Sequence, residues 1–331
     1  MKFDLSQQPL VPAFLTLAIV SVAAACRADF AEAAAGASPA IDGLAIAMPG
    51  RWLALFGAAH PVWSRAAAAF LMVFAGMCVG RVTVRYALYG VSTCVAIPLF
   101  GFAAVCASCG GEALPALTAS ALLALTFKNF CRAFCNGYRF DALFRASLYD
   151  GALIAVCPEA LPLALLLPLA VWLFRRTVRE SVVAVCGLVL PVLAVCYFNW
   201  GAGGDFLAPL SVWKSCFAPG SPFGFVSRLP LPALALAGCV SLLGLCSMAF
   251  LATNIYATGS KSRYILCFAV GVWMLCLTAA TFPASTTAVA GLWAVPSAVL
   301  LPLCFVRLHR ALALPVYLLL AGLTVWVIVL Q

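Results

Sequence analysis

The chain has 331 residues, of which 66% are hydrophobic and 9% are charged, and its mean hydropathy is +1.12. Soluble domains carry about 25% charged residues, so this composition excludes a soluble protein and indicates an integral membrane protein. The net charge of +9 does not form a basic stripe interleaved with aromatic residues. A nucleic-acid site needs such a stripe, and no nucleic-acid partner is therefore expected.

The apolar residues fall in repeated runs of about 20, the length that a helix needs to cross the hydrocarbon core. Backbone groups in lipid must be satisfied within a helix or a closed barrel, and strand-like alternation is absent, so we predict an all-α polytopic membrane bundle. The first span covers residues 10–26 and is interpreted as uncleaved, since many spans follow it. A polar segment, 27–65, comes next, and its short apolar stretches 41–48 and 52–59 predict helices in the membrane interface.

The segment 140–174 fits either a single span, 151–174, or a hairpin of two spans bent at Cys157-Pro158-Glu159. Lysine and arginine accumulate on the cytoplasmic side of membrane proteins, so their distribution distinguishes the two interpretations. With the N-terminus inside, a single span divides the 19 basic residues 9 to 10, whereas the hairpin places 14 of 19 inside. We therefore predict the hairpin, a cytoplasmic N-terminus and about eleven spans. The other spans are 66–80, 89–106, 113–130, 181–200, 229–252, 264–282, 286–307 and 311–330.

These spans divide the chain into an N-terminal membrane bundle, 1–200, an outer loop, 201–228, and a four-span bundle, 229–331. The chain has 16 cysteines, and most lie inside apolar runs, where cysteine behaves as a small hydrophobic residue. Cys106 and Cys109 have the spacing of a redox pair, but the many cysteines make coincidence the better interpretation. No metal-ligand spacing is present, and the sequence predicts neither a metal nor a cofactor.

Several acidic residues are expected on the outer face. Asp29 and Glu32 are three positions apart just after the first span, a spacing that puts both carboxylates on one face of a helix. Such a pair binds a cation or acts as a general base, unless these are ordinary acids at a loop end. Glu112 and Glu159 lie at the tips of two tight turns on the same side, with Asp205 in a later loop. They form either a shared acidic site or separate solvated turns.

Asp150 is the acidic residue best placed to lie within the bilayer. An intramembrane carboxylate costs about 2.5–3.5 kcal/mol on insertion scales, and such residues are usually paired or functional. Arg145 lies nearby in sequence, so an interfacial Asp150 is the alternative. Arg65 and Lys214 are outer cations suited to binding a phosphate, although Arg65 also fits an anchor at a span end.

The block Arg145-Ala-Ser-Leu-Tyr-Asp150-Gly151-Ala-Leu-Ile-Ala-Val-Cys157-Pro158, followed by Trp172-Leu-Phe-Arg175-Arg176 and Gly187-Leu-Val-Leu-Pro191, resembles a family of uncharacterised multipass inner-membrane proteins of Bacteroidota. The likeness is strongest over residues 140–200. It implies a location in the cell inner membrane rather than an activity.

The layout, with one span, an outer segment containing interfacial helices and then short-looped spans, is similar to that of GT-C glycosyltransferases. Those enzymes take a sugar from a polyprenyl-phosphate donor on the outer face of the membrane. The resemblance implies that Asp29 activates the acceptor, with Glu32 less well placed and Glu112 in a supporting role. Arg65 and Lys214 would then hold the donor phosphate, and Asp150 and Glu159 are further substrate-binding candidates. The chain departs from that class in lacking adjacent paired acids after the first span and in being short.

Two other functions fit the same sequence. A transporter or flippase would use Asp150 and helices broken near Pro158 and Pro162 to form a site at mid-membrane. A non-catalytic component of an envelope assembly would bind partner helices through small residues such as Ala237 and Ser241. Membrane lipid is the expected partner in each case, and the sequence leaves the oligomeric state open. An enzyme is the favoured interpretation.

Overall fold

The structure is a computed structural model of the chain. It describes residues 8–28, 30, 48–135, 140–215, 223–224, 226, 229–254, 259–282 and 285–331. Every regular element in these ranges is a helix, and eight of the helices are long and apolar enough to cross a membrane. The all-α prediction is confirmed for this part of the chain.

The first three helices are α1 (Leu10–Arg27), α2 (Pro49–Ala59) and α3 (Pro61–Arg85). Proline starts both α2 and α3, where its missing N–H would have no partner within the helix. Helix α2 includes the predicted interfacial stretch 52–59, whereas 41–47 lie outside the described residues. Helix α3 extends beyond the predicted span 66–80 at both ends and stops before Ala87, which has a left-handed φ of 44°.

The next element is shorter than the span predicted at 89–106. Helix α4 (Ala96–Ala104) continues directly into a 3₁₀ helix, Val105–Ser108, and every residue of the two is buried. Together they extend about 20 Å, less than the hydrocarbon thickness of about 30 Å. This segment is therefore a short helix enclosed by the protein's own helices.

The break predicted at Cys157-Pro158-Glu159 is present. Helix α5 (Ala113–Cys135) is followed by α6 (Phe140–Val156), which ends just before Cys157. A 3₁₀ helix, Pro158–Leu165, and α7 (Leu166–Leu173) then follow. Pro158 cannot donate the hydrogen bond that would continue α6, and it disfavours helical geometry at the residue before it. A single continuous helix over 151–174 is therefore excluded, although neither α6 nor the segment Pro158–Leu173 is among the eight helices of membrane-spanning length.

The remaining helices agree with the predicted spans to within a few residues, except for one short helix in the predicted loop 201–228. They are α8 (Val178–Gly201), the short helix α9 (Ala208–Ser215), α10 (Leu231–Thr253), α11 (Ser260–Ala280), α12 (Ala288–Arg307) and α13 (Arg310–Leu330).

Helix α12 forms the centre of the bundle. Buried residues make up 89% of its membrane-length window, compared with 22% for both α8 and α13. It packs against α4, α5, α10 and α11, and Gly291 allows it to approach the backbone carbonyl of Ala116 on α5. The peripheral helices expose valine, leucine and tryptophan side chains instead, as expected for surfaces that face lipid.

Basic residues gather at one end of the bundle, which we call the basic end. There the Lys128 ammonium lies 4.0 Å from the Cys78 thiol, which brings together the ends of α5 and α3. The Arg176 guanidinium donates to the carbonyl of Ala133 and also pairs with Glu180, at 3.2 Å. These contacts join α3, α5 and the turn between α7 and α8 on the side that the charge distribution predicts to be cytoplasmic.

Helices α6 and α8 pack more closely than side chains would allow. A Cβ atom at Gly151 would overlap the carbonyl oxygen of Leu188, and a Cβ at Gly187 would lie 2.8 Å from the carbonyl oxygen of Phe144. Small residues let helix backbones approach in this way, and van der Waals packing then holds the helices together in lipid.

We expect Gly151→Ala to lower the stability of the protein by about 1–3 kcal/mol, because the backbone of α8 must move to make room for the new methyl group. The measurement is the apparent melting temperature in detergent. Gly238→Ala is the matched control, since nothing lies within 4 Å of its Cβ position and alanine is favoured over glycine inside a helix. Equal melting temperatures for the two variants would contradict the close α6–α8 contact.

The predicted orientation is testable with Asp205→Cys and Lys261→Cys, since both positions are exposed. The background would have serine in place of the exposed cysteines Cys26, Cys186 and Cys246 and of those outside the described residues. A membrane-impermeant maleimide added to intact cells should label position 205, and position 261 only after permeabilisation, because basic loops stay cytoplasmic. The reverse pattern would invert the orientation.

Candidate functional site

Asp29 and Glu32, the leading catalytic candidates, lie outside the described residues. The residues on either side of Asp29 are described, and Ala28 and Phe30 are both buried. The Phe30 ring packs against Gly57 of α2, with its Cδ1 atom 3.3 Å from the Cβ position of that glycine. The residues just after α1 therefore pack against α2, which lies later in the same polar segment, 27–65.

The two predicted outer turns meet at the N-terminus of α12. In the first turn, the Cβ position of Gly110 lies 3.5 Å from the Thr287 methyl group. In the second, a Glu159 carboxylate oxygen accepts the backbone N–H of Thr286 at 2.6 Å. Glu112 follows Gly110 by two residues, so both glutamates border the start of the same helix. We call this region, with the start of α2 and with α9, the acidic end.

Glu159 has a structural role at the acidic end. Its side chain is only 8% exposed, and its carboxylate accepts a backbone N–H just before α12 begins. Thr286 lies one residue before the N-cap residue Thr287, and its carbonyl accepts the N–H of Val289 in the first turn of α12 at 3.2 Å. The helix dipole also favours a negative charge at this end. Glu159 therefore stabilises the start of the central helix, a role that its sequence position did not reveal.

Glu112 differs from Glu159 in this respect. Its backbone carbonyl accepts the N–H of Ala116 at 3.0 Å and so starts α5, while its side chain is partly exposed. Within the described part of the chain, the Glu112 carboxylate makes no hydrogen bond or ion pair. Of the two glutamates, Glu112 is the one whose carboxylate is available to a ligand.

Two short helices flank the acidic end. The backbone of Gly50, at the start of α2, contacts the carbonyl of Val156 at the end of α6. Trp213 of α9 is buried in a small apolar cluster with Ile154 and Ala155 of α6. Lys214, the next residue, is exposed, so α9 carries this cation at the same end as Glu159.

Arg65 is placed differently from Lys214. It is exposed near the start of α3, beside Trp63, which is 72% exposed. Exposed tryptophan and arginine at a helix end are typical of the lipid–water interface. Among the described residues Arg65 does not contact Glu112, so these two predicted partners are not brought together.

Asp150 is fully buried in α6, and neither of its carboxylate oxygens has a hydrogen-bond partner. Arg145 does not pair with it, because its guanidinium bonds the Asp141 carboxylate one turn earlier, at 2.9 Å. The side chain of Asp150 therefore does not extend to solvent, as the interfacial alternative requires, but is enclosed by the protein. Asp205 is exposed, as an ordinary loop acid would be.

Two other predicted features face the protein's own interior. The thiols of Cys106 and Cys109 are free and buried, and each points at a backbone carbonyl 3.6 Å away, that of Ala233 and that of Val105, respectively. Ala237 and Ser241 of α10 line a narrow apolar crevice against α4 and α12. These small residues therefore pack within this chain.

Within the described ranges, no group of three histidine, cysteine, aspartate or glutamate side chains is arranged to hold a metal ion. Comparison with protein-family models, with curated proteins and with solved structures finds no match to this chain. The fold and the apolar helices define its class, an all-α protein with several helices that can cross a membrane.

The difference between the two glutamates gives a test of the acidic end. Glu159→Gln should lower the stability by about 1–3 kcal/mol, because a hydrogen bond to a charged acceptor is weakened in a buried place. Glu112→Gln should change it by less than about 0.5 kcal/mol, as is usual for exposed positions. Apparent melting temperatures in detergent measure both effects. A Glu112→Gln variant as unstable as Glu159→Gln would contradict the separate roles.

Proposed function

We propose that this protein is a membrane transferase of the GT-C type, which uses a polyprenyl-phosphate-linked sugar on the outer face of the cell inner membrane. The observation that supports the proposal best is the acidic end. There Glu112, with an unengaged carboxylate, lies beside the start of α12, and α2 and the Lys214-bearing α9 lie at the same end. A carboxylate and a cation near a membrane interface are the groups that sugar transfer from a lipid phosphate requires.

In the proposed reaction an acceptor hydroxyl attacks the anomeric carbon of the sugar. The bond from that carbon to the phosphate oxygen breaks, and the hydroxyl proton passes to the carboxylate of Asp29, assisted by Glu112. The leaving group is the polyprenyl phosphate, which departs as an anion. Lys214 and Arg65 stabilise this anion, because cations aimed at developing negative charge lower the barrier.

The structure gives each proposed group a different degree of support. Glu112 has an available carboxylate, and Lys214 is exposed on a helix fixed by Trp213. Arg65 is exposed near the start of α3, where it can reach lipid headgroups. Glu159 stabilises the start of α12 through the Thr286 N–H, so no direct substrate contact is proposed for it. Asp29 and Glu32 are included in the proposal on the basis of the sequence.

The catalytic proposal predicts that Asp29→Asn and Glu112→Gln, introduced into the host gene, abolish one surface glycan or glycoprotein form. The protein level in the membrane should be unchanged, because each substitution keeps the size of the side chain. Asp205→Asn, at an exposed loop acid, is the matched control and should leave the glycans intact. The readout is mass spectrometry of released glycans. A normal glycan profile in Asp29→Asn would contradict the transferase proposal.

Binding of the polyprenyl-phosphate donor can be measured separately from catalysis on the purified protein. Polyprenyl phosphate should raise the apparent melting temperature of the protein, whereas neutral polyprenol should not, since a ligand stabilises the state that binds it. Lys214→Gln and Arg65→Gln should weaken the effect of the phosphate.

Transport is the second candidate function, and Asp150 is the observation that favours it. A buried carboxyl without a partner in a membrane bundle is by default a functional group. A transporter would retain its glycans in the Asp29→Asn variant and lose function with Asp150→Asn.

A further inference from the structure

We propose that Asp150 is an intramembrane proton-binding site, and that gain or loss of one proton at its carboxyl controls how tightly α8 packs against α6. The site stands whether or not the protein is a transferase. The ligand is a proton exchanged with water, and no other bond is made or broken.

The first argument is the environment of the carboxyl. Asp150 is 0% exposed, and both of its oxygens lack a hydrogen-bond partner. An ionised carboxylate in such a place has no counter-charge and no water, whereas a neutral carboxyl is tolerated. In this packed arrangement the group is therefore the neutral acid, and ionisation requires the packing to open.

The elements packed against α6 are α2, α5, α8 and the 3₁₀ helix Pro158–Leu165, and they carry several titratable and charged groups. None of those described approaches the Asp150 oxygens within hydrogen-bonding distance. They are Arg51, His60, Lys128, Cys131, Arg132, Glu159, Arg179, Glu180, Cys186, Cys196 and Tyr197, together with Asp141, Arg145 and Tyr149 of α6 itself.

The second argument is the tightness of the α6–α8 contact beside the carboxyl. The neighbouring Gly151 lies against the Leu188 carbonyl, and its Cβ position is 3.1 Å from the Pro191 ring. Backbones this close leave no room between them for a hydrated metal ion. A proton needs no such room, and it is therefore the ligand that fits.

The third argument is that other polar groups without a partner within their own helices lie at the same depth, where a small movement would let a protonated carboxyl bond to them. Pro191 has no N–H, so the carbonyl of Gly187 lacks its usual partner within α8. On α5, the Thr126 hydroxyl is buried without a partner. Counting from the connection between α5 and α6, Thr126 and Asp150 both lie about 14–15 Å along their helices.

The mobile partner is α8. It is one of the least buried of the membrane-length helices and contacts the bundle mainly through α6. Loss of the proton leaves a carboxylate that gains free energy from hydration, and water reaches it most directly if α8 moves away. The missing backbone hydrogen bond at Pro191 marks the place where such movement would begin.

The cysteines of α8 report this movement. Cys196 is buried and Cys186 is exposed on the same helix, so the ratio of their labelling by a membrane-permeant maleimide measures opening. Read by mass spectrometry on the full chain in liposomes, the ratio should rise several-fold from mildly acidic to alkaline buffer. Asp150→Asn should abolish that rise, because it cannot ionise, and Asp150→Glu should retain it. Comparison with Asp150→Asn removes the ordinary effect of pH on the thiols.

Infrared spectroscopy tests the proton directly. The difference spectrum between the native protein and Asp150→Asn should contain the C=O band of a protonated carboxyl, and this band should vanish as the pH rises. If Asp150→Asn does not accumulate in the membrane, Asp150→Ser replaces it in both measurements. Absence of the band at every pH, or the same rise in the labelling ratio in Asp150→Asn, would overturn the proposal.

Discussion

The structure depends on satisfying the backbone of α12, the helix that every central element packs against. Pro296 and Pro302 interrupt its hydrogen bonds, and an unsatisfied backbone group in hydrocarbon costs several kcal/mol. These prolines free the carbonyls of Leu292 and Ala298, while other backbone groups of α12 and of the residues before it bond to neighbouring elements. Glu159 accepts the N–H of Thr286 just before the helix starts, and the Tyr89 hydroxyl donates to the carbonyl of Val299 at 2.6 Å.

These requirements account for the irregular parts of the bundle. The turn after α3 is partly exposed, but Tyr89 itself is buried and its hydroxyl reaches α12. The short helix α4 follows that turn into the core. The 3₁₀ helix after Pro158 similarly brings Glu159 to the start of α12. Irregular backbone at membrane depth is tolerated where it is enclosed by protein, and the 3₁₀ helix Val105–Ser108 beside α12 is buried throughout.

The same segment of chain links the two places where function is proposed. Helix α6 carries Asp150 in its buried middle and ends at Val156, which contacts Gly50. Three residues further on, the chain places Glu159 at the acidic end. Movement of α8 away from α6 would therefore change the packing around Trp213, which contacts the last turn of α6. A proton at Asp150 could in this way influence the arrangement of Lys214 and of the acidic end.

Composition and hydropathy alone determined that this is an all-α membrane protein, and the positions of most long helices followed from the lengths of the apolar runs. Both signals are local, since a helix in lipid satisfies its own backbone. The break at Pro158 was also predictable, because proline restricts the backbone of its immediate neighbours. In addition, only a hairpin at this point keeps most lysine and arginine residues on the cytoplasmic side. Glu112, Glu159 and Lys214 were recognised as candidates by residue type and by side.

Only the tertiary structure decided what those residues do. Glu159 bonds a residue 127 positions away, and no local pattern marks such a pairing. The burial of Asp150 and the pairing of Arg145 with Asp141 depend on which face of α6 meets α5 and α8. The close α6–α8 contact likewise required Gly151 and Gly187 to meet opposing carbonyls, which sequence spacing within one helix cannot specify. Helix formation is local, whereas the environment of a buried charge is set by the neighbours that packing brings to it.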